Sequence, residues 1–98
     1  MAKSRSKPKV KRQRIALSLE APEANEVILM GDFNNWNSKI HLMKMDEDGL
    51  WKKIVMLSPG KYEYKFLVDG QWWHDPSNDY VCTNCFGTQN NVLVVAGT

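Results

Sequence analysis

Ninety-eight residues make one domain, near the usual size of a small β-sandwich and too short for two independent cores. The formal net charge of +2 conceals an asymmetry: residues 1–14 hold seven of the thirteen Lys and Arg and none of the eleven Asp and Glu, which leaves six basic against eleven acidic side chains in the remainder. An acidic domain of this kind excludes a domain-wide nucleic-acid surface, and no stretch approaches the ~18 apolar residues of a membrane-spanning helix.

Residues 1–14, MAKSRSKPKVKRQR, show no apolar periodicity and are predicted to be a disordered basic tail. The plain reading is a solvated tail; the functional one is a polybasic arm for an anionic partner or nucleic acid. Ile15, Leu17 and Leu19 alternate with Ala16 and Ser18, which predicts a first strand ending at Ala21-Pro22. The apolar run after the basic residues stops at Glu20, short of the 7–15 or so apolar residues of a secretory signal. With only two cysteines besides, the expected location is cytoplasmic.

Glu26 to Met30 is almost continuously apolar, as a buried strand requires. Gly31-Asp32-Phe33-Asn34-Asn35-Trp36-Asn37 then reads as a loop, because Asn and Asp bond to their own backbone and tolerate left-handed conformations. In it Phe33 is expected to plug the core, and Trp36, flanked by Asn on both sides, to be exposed. Leu42, Met43 and Met45 predict a short strand, closed by a turn at Asp46-Glu47-Asp48-Gly49. That acidic run lacks the twelve-residue spacing and flanking helices of a calcium loop. Leu50 to Leu57 predicts the next strand and Ser58-Pro59-Gly60 a turn.

In Lys61 to Val68 the period of two places Tyr62, Tyr64, Phe66 and Val68 on the core face, with Lys61, Glu63, Lys65 and Leu67 outside. Asp69-Gly70 is the strongest two-residue hairpin signal. The return strand Gln71-Trp72-Trp73 must then send its adjacent tryptophans to opposite faces, one toward the core aromatics and the other to the face that carries Lys65. His74 to Asp79 is turn chemistry, Tyr80 to Gln89 a loop, and Asn90 to Val95 a last strand. Six to eight short, mainly antiparallel strands with frequent turns predict an all-β, immunoglobulin-like sandwich over residues 15–98.

Catalysis finds no support in the pattern. There is no nucleophile-elbow or phosphate-loop motif, and the carboxylates sit in turns or are scattered, without the flanking pair of a glycosidase. Cys82-Thr83-Asn84-Cys85 with His74 upstream could supply zinc ligands, but a single CxxC reads first as two structural thiols; no cofactor is expected. What remains is aromatic and amide: Trp36, Lys65, one of Trp72 and Trp73, and Thr88-Gln89-Asn90-Asn91. Indole faces rimmed by donors and acceptors suit a pyranose, whose C–H face stacks while its hydroxyls bond. The alternative is that the tryptophans serve only the core and its edges.

The segments GDFNNW (31–36), DGLW (48–51), PGKYEYKFLVDGQW (59–72), HDP (74–76) and FGTQNNVL (86–93) occur in an order that resembles the glycogen-binding domain of the AMP-activated protein kinase β subunit. More broadly it is similar to the family 48 carbohydrate-binding modules found ahead of branching and debranching enzymes. The resemblance implies a non-catalytic module that stacks α-1,4-glucan on two tryptophans. By position those are Trp36 and Trp72, with Lys65 and Asn90 on the hydroxyls and Thr88 at a further contact. Phe86 stands where the kinase members carry a protruding aliphatic residue, and Trp73, which replaces a small polar one, is left either to pack inward or to widen the platform. A glucan-active enzyme or a kinase is the implied protein partner. The competing expectation is a regulatory or interaction sandwich whose basic tail does the binding.

Overall fold

The structure, a computed structural model, describes residues 12–83 and 87–97. Residues 1–11 of the basic tail, together with Cys85 and Phe86, lie outside the described residues. Among the described residues eight antiparallel strands form two sheets. β1 (Gln13–Glu20) pairs with β4 (Leu50–Leu57), and β3 (Lys44–Met45) covers the other edge of β4. The second sheet runs β2 (Val27–Gly31), β5 (Gly60–Val68), β8 (Gln89–Val95) and β7 (Val81–Thr83), and β6 (Gln71–Trp73) pairs with the far end of β5. Among the described residues no helix is long and apolar enough to cross a membrane.

β1 starts at Gln13, two residues before the expected boundary at Ile15. The Gln13–Leu57 and Arg14–Met56 pairs extend the ladder, and the Gln13 side chain donates to the Ala96 carbonyl. The predicted strand over Leu42 to Met45 is divided between the two sheets. Leu42 bridges Ile28 of β2, Met43 is buried in the core, and Lys44 and Met45 pair with β4. β7 is a strand within the stretch expected to be loop: its three residues pair with Gln89, Asn90 and Asn91. β8 accordingly begins at Gln89, one residue early.

The core lies between the sheets, with Leu17, Leu19, Trp51, Val55 and Leu57 from one side and Val27, Leu29, Tyr64, Phe66, Val68 and Val95 from the other. The expected parity of β5 holds, since Tyr64, Phe66 and Val68 are buried and Tyr62 is packed on the same cluster. Fully burying residues the size of Leu29 and Phe66 contributes roughly 1.5–3 kcal/mol each. The polar handles of two of these aromatic rings are satisfied. Trp51 Nε1 donates to Ala21 O at 2.8 Å, and Tyr62 Oη to Ser58 O at 2.6 Å.

A second buried feature is a polar knot below the end of β6. Tyr64 Oη donates to Asp75 Oδ2 at 2.7 Å. Asn91 Oδ1 accepts from Asp75 N at 2.7 Å, while its Nδ2 donates to Asn78 O at 2.9 Å. Asn78 Nδ2 in turn donates to Tyr64 Oη and to Val92 O. Burial pushes the Tyr64 hydroxyl well above its ordinary range. The Asn78 amide opposes that shift and the Asp75 carboxylate adds to it. The knot ties the segment after β6 to β8 and so fixes where a three-residue edge strand lies.

Candidate functional site

The loop after β2 is built by its own side chains. Asp32–Asn34 forms a single 3-10 turn. Asn34 is buried inside it, accepting from Gly31 N at 3.1 Å and donating to Leu29 O and His41 Nδ1, both at 2.9 Å. Gly31 is required by space: a Cβ there would lie 2.7 Å from the Glu63 carbonyl of β5. Phe33 is packed on the core as expected, 5.8 Å from the His41 ring and 6.1 Å from Tyr62. Asn35 and Trp36 both take left-handed backbone, with φ of 55° and 56°. For a residue as bulky as tryptophan this costs roughly 1–3 kcal/mol, which surrounding bonds must offset. Trp36 N donates to Gly31 O at 2.9 Å and Trp36 Nε1 to Asp32 Oδ1 at 3.0 Å.

His41 carries a pH consequence. Asn34 Nδ2 can only donate, so His41 Nδ1 must accept and the ring must be neutral. Burial, with Lys53 nearby, lowers the His41 pKa from its ordinary 6.5. The unfolded chain therefore takes the proton first, and stability declines as pH falls below about 6.5 and on through the lower folded-state value. We expect the wild type to lose more melting temperature between pH 7 and pH 5 than a His41→Gln variant, measured by thermal denaturation in matched buffers. Equal losses would show that His41 contributes nothing.

The Asp69-Gly70 hairpin forms as expected, with φ of 48° and 82° at its two residues, and the Asp69 carboxylate accepts from Asn25 N and Glu26 N. Across it Leu67 faces Trp72, and Phe66 faces Trp73. Trp72 stands on the outer face, 52% exposed. Trp73 neither enters the core nor widens a platform. It is 39% exposed in a separate groove at the sheet edge beside Ala21, Pro22, Ala24 and Val68, because β6 lies at the end of β5 and its inward side overhangs the core.

Trp36, Lys65, Trp72, Thr88 and Asn90 line one open depression of about 460 Å³, joined by Asp32 and Glu63. Lys65 is on the outer face, as parity requires, yet it is only 8% exposed. Its Nζ lies 5.9 Å from the Trp72 ring centroid, a cation–π arrangement. Among the described residues it makes no ion pair; the salt bridge there is Lys52–Asp46. The Trp36 and Trp72 rings are 6.1 Å apart and 69° from parallel, so the floor is folded rather than flat. Phe86 lies outside the described residues.

Asp32 and Glu63 escaped the sequence reading. Asp32 Oδ1 holds the Trp36 indole and its Oδ2 accepts from Glu63 N at 2.8 Å. Glu63 Oε1 accepts from Asn90 Nδ2 at 2.9 Å. Each carboxylate thus fixes a side chain picked out from the sequence. Glu63 shared a face with Lys65 by parity, which was a usable signal, whereas Asp32 sits in a loop already rich in Asn and had none. Cys82 lies opposite Asn90 across the β7–β8 ladder. Its partial burial and a hydrogen bond to Glu63 push the thiol pKa up, which makes it a poor nucleophile. His74 Nε2 is engaged with Gln89 O at 2.8 Å, and among the described residues no group of three His, Cys, Asp or Glu could hold a metal ion.

A family model described as the glycogen recognition site of AMP-activated protein kinase matches residues 17–98. The kinase's β-2 subunits from Homo sapiens and Mus musculus are 49% identical to the chain over 70 residues, covering 71% of the chain and 25% of each relative. Protein PTST homolog 2, chloroplastic, from Arabidopsis thaliana is 42% identical over 73 residues, 74% of the chain and 13% of the relative. The chain spans about a quarter of the length of the kinase β-2 subunits it matches.

Proposed function

The chain belongs to the family of glycogen recognition sites of AMP-activated protein kinase, and on that premise we propose that it is a non-catalytic module for α-1,4-glucan. Its ligand is glycogen, starch or a maltooligosaccharide, and its place of action the cytoplasm. Trp36 and Trp72 take the apolar faces of glucose units, and Lys65, Asn90 and Thr88 meet their hydroxyls. The carrying observation is Lys65. A cation more than nine-tenths buried, with no ion pair among the described residues, has lost much of its hydration. Sugar hydroxyls accept from an ammonium without neutralising it, and the two indoles supply the stacking that a sugar needs.

The energies suit an avidity module. A stacked ring contributes on the order of 0.5–1.5 kcal/mol beyond area burial, so two rings and a few bonds give weak binding that a longer or repeated ligand strengthens. The benefit falls to whatever glucan-active enzyme or kinase the module is joined to or associates with, by holding it on the polymer. Titrating maltoheptaose while following tryptophan fluorescence tests the reading. A saturable response at up to millimolar ligand is expected, unchanged in form between low and high salt because the ligand is neutral. No response would end the glucan reading, and one that vanishes with salt and on deletion of residues 1–14 would move the function to the basic tail.

A further inference from the structure

We propose that Asp32 and Glu63 restrict this site to uncharged glucans and reject glucans that carry phosphate esters. The inference rests on the glucan reading above and adds the chemical class of the chain. A lone buried lysine against an indole would favour an anion. Here two carboxylates share its depression, and the formal charge of the three ionic side chains is negative.

Neither carboxylate can easily swing away. Asp32 is held at both oxygens, by Trp36 Nε1 at 3.0 Å and by Glu63 N at 2.8 Å. Glu63 is held by Asn90 Nδ2 at 2.9 Å. Lys61, the next cation along the outer face of β5, is drawn off toward β7, with its Nζ 3.1 Å from Tyr80 Oη. Among the described residues no second lysine lines the depression to offset the acids.

The hydrogen-bond inventory points the same way. Carboxylates only accept, so their unused lone pairs need donors, and a glucose hydroxyl can donate to them while accepting from Lys65. A phosphate dianion only accepts. It would gain one ammonium and face two like charges, and like charges within several ångströms repel most at low ionic strength. Neutral chains fit both the donors and the acceptors of the site; esterified ones fit the donors alone.

Maltotriose and its counterpart bearing a 6-phosphate on the central unit distinguish the cases, since with one unit on each of the two indoles every register that fills both includes the esterified unit. The full-length protein is titrated with each at 20 mM and at 500 mM NaCl, alongside Glu63→Gln, which keeps an acceptor for Asn90 without the charge. We expect the phosphorylated sugar to bind at least about tenfold more weakly at low salt. Its affinity should rise with salt, and the ratio should narrow in E63Q. Equal or tighter binding of the phosphorylated sugar by the wild type would overturn the proposal while leaving the glucan reading intact. A ratio indifferent to both salt and E63Q would overturn it too, because rejection would then be steric. If neither sugar binds, the glucan reading fails and this inference with it.

Discussion

Replacing Trp72 by alanine is expected to weaken maltoheptaose binding about thirty- to hundredfold, or roughly 2–3 kcal/mol, with little change in melting temperature. Two losses combine. One face of an indole no longer covers the sugar, and the Lys65 ammonium, 5.9 Å from that ring, loses the surface over which it is held. The small effect on folding follows from exposure, since Trp72 is half outside the protein and contributes little to the core. A Trp73→Ala variant is the matched control. Its ring lies in the other groove, so maltoheptaose affinity should stay within about twofold of wild type. Titration calorimetry on the two variants checks both statements, and similar losses from both would show that the sugar does not lie on the Trp72 side of β6.

The largest stability effect is expected from Asn91→Leu, at roughly 3–5 kcal/mol. The side chain is wholly buried and serves Asp75 N and Asn78 O. A leucine of similar volume strands both groups, at about 1–3 kcal/mol apiece, and adds a poorly fitting branch. For a domain of this size each kilocalorie shifts the melting temperature by about 4–8 °C, so a fall of some 15 °C or more should be visible by circular dichroism. A loss below 1 kcal/mol would mean that water enters and satisfies both groups. Because the same knot anchors the chain just after β6, the variant should also bind glucan less well at temperatures where it is still folded.

Those two residues show what could be read before the fold was known. An outward tryptophan was legible because a strand has only two faces: once Tyr64, Phe66 and Val68 claim the core, Lys65 shares the outside with one of Trp72 and Trp73, and it was the family resemblance that picked Trp72. Trp36 was legible as a loop-tip indole because asparagines flank it, but it is half-buried rather than exposed as expected. Asn91 was not legible as a core residue. Its partners come from the turn at Asp75 and Asn78, and nothing local marks an asparagine as buried when its hydrogen bonds are long-range. β7 was missed for a similar reason. Val81-Cys82-Thr83 is too short to show a period, and it is a strand only because β8 offers an open edge. The segment Leu42 to Met45 looked like one strand since its apolar residues are contiguous, while the sheets divide it. Trp73 followed the parity rule, but parity cannot say where a strand ends relative to its neighbour, and that overhang decides what the ring touches.

The 69° between the two indoles of the depression constrains the shape of whatever lies on both. A ribbon-like polymer whose successive rings are nearly coplanar can rest flat on one indole only and must lift from the other. A chain that coils, turning each ring relative to the last, can lay one unit on each. Curvature of the polymer backbone, rather than the identity of its sugar, is then what the fixed angle measures. Asp32, by gripping the edge of the Trp36 ring, is the residue that sets the gauge.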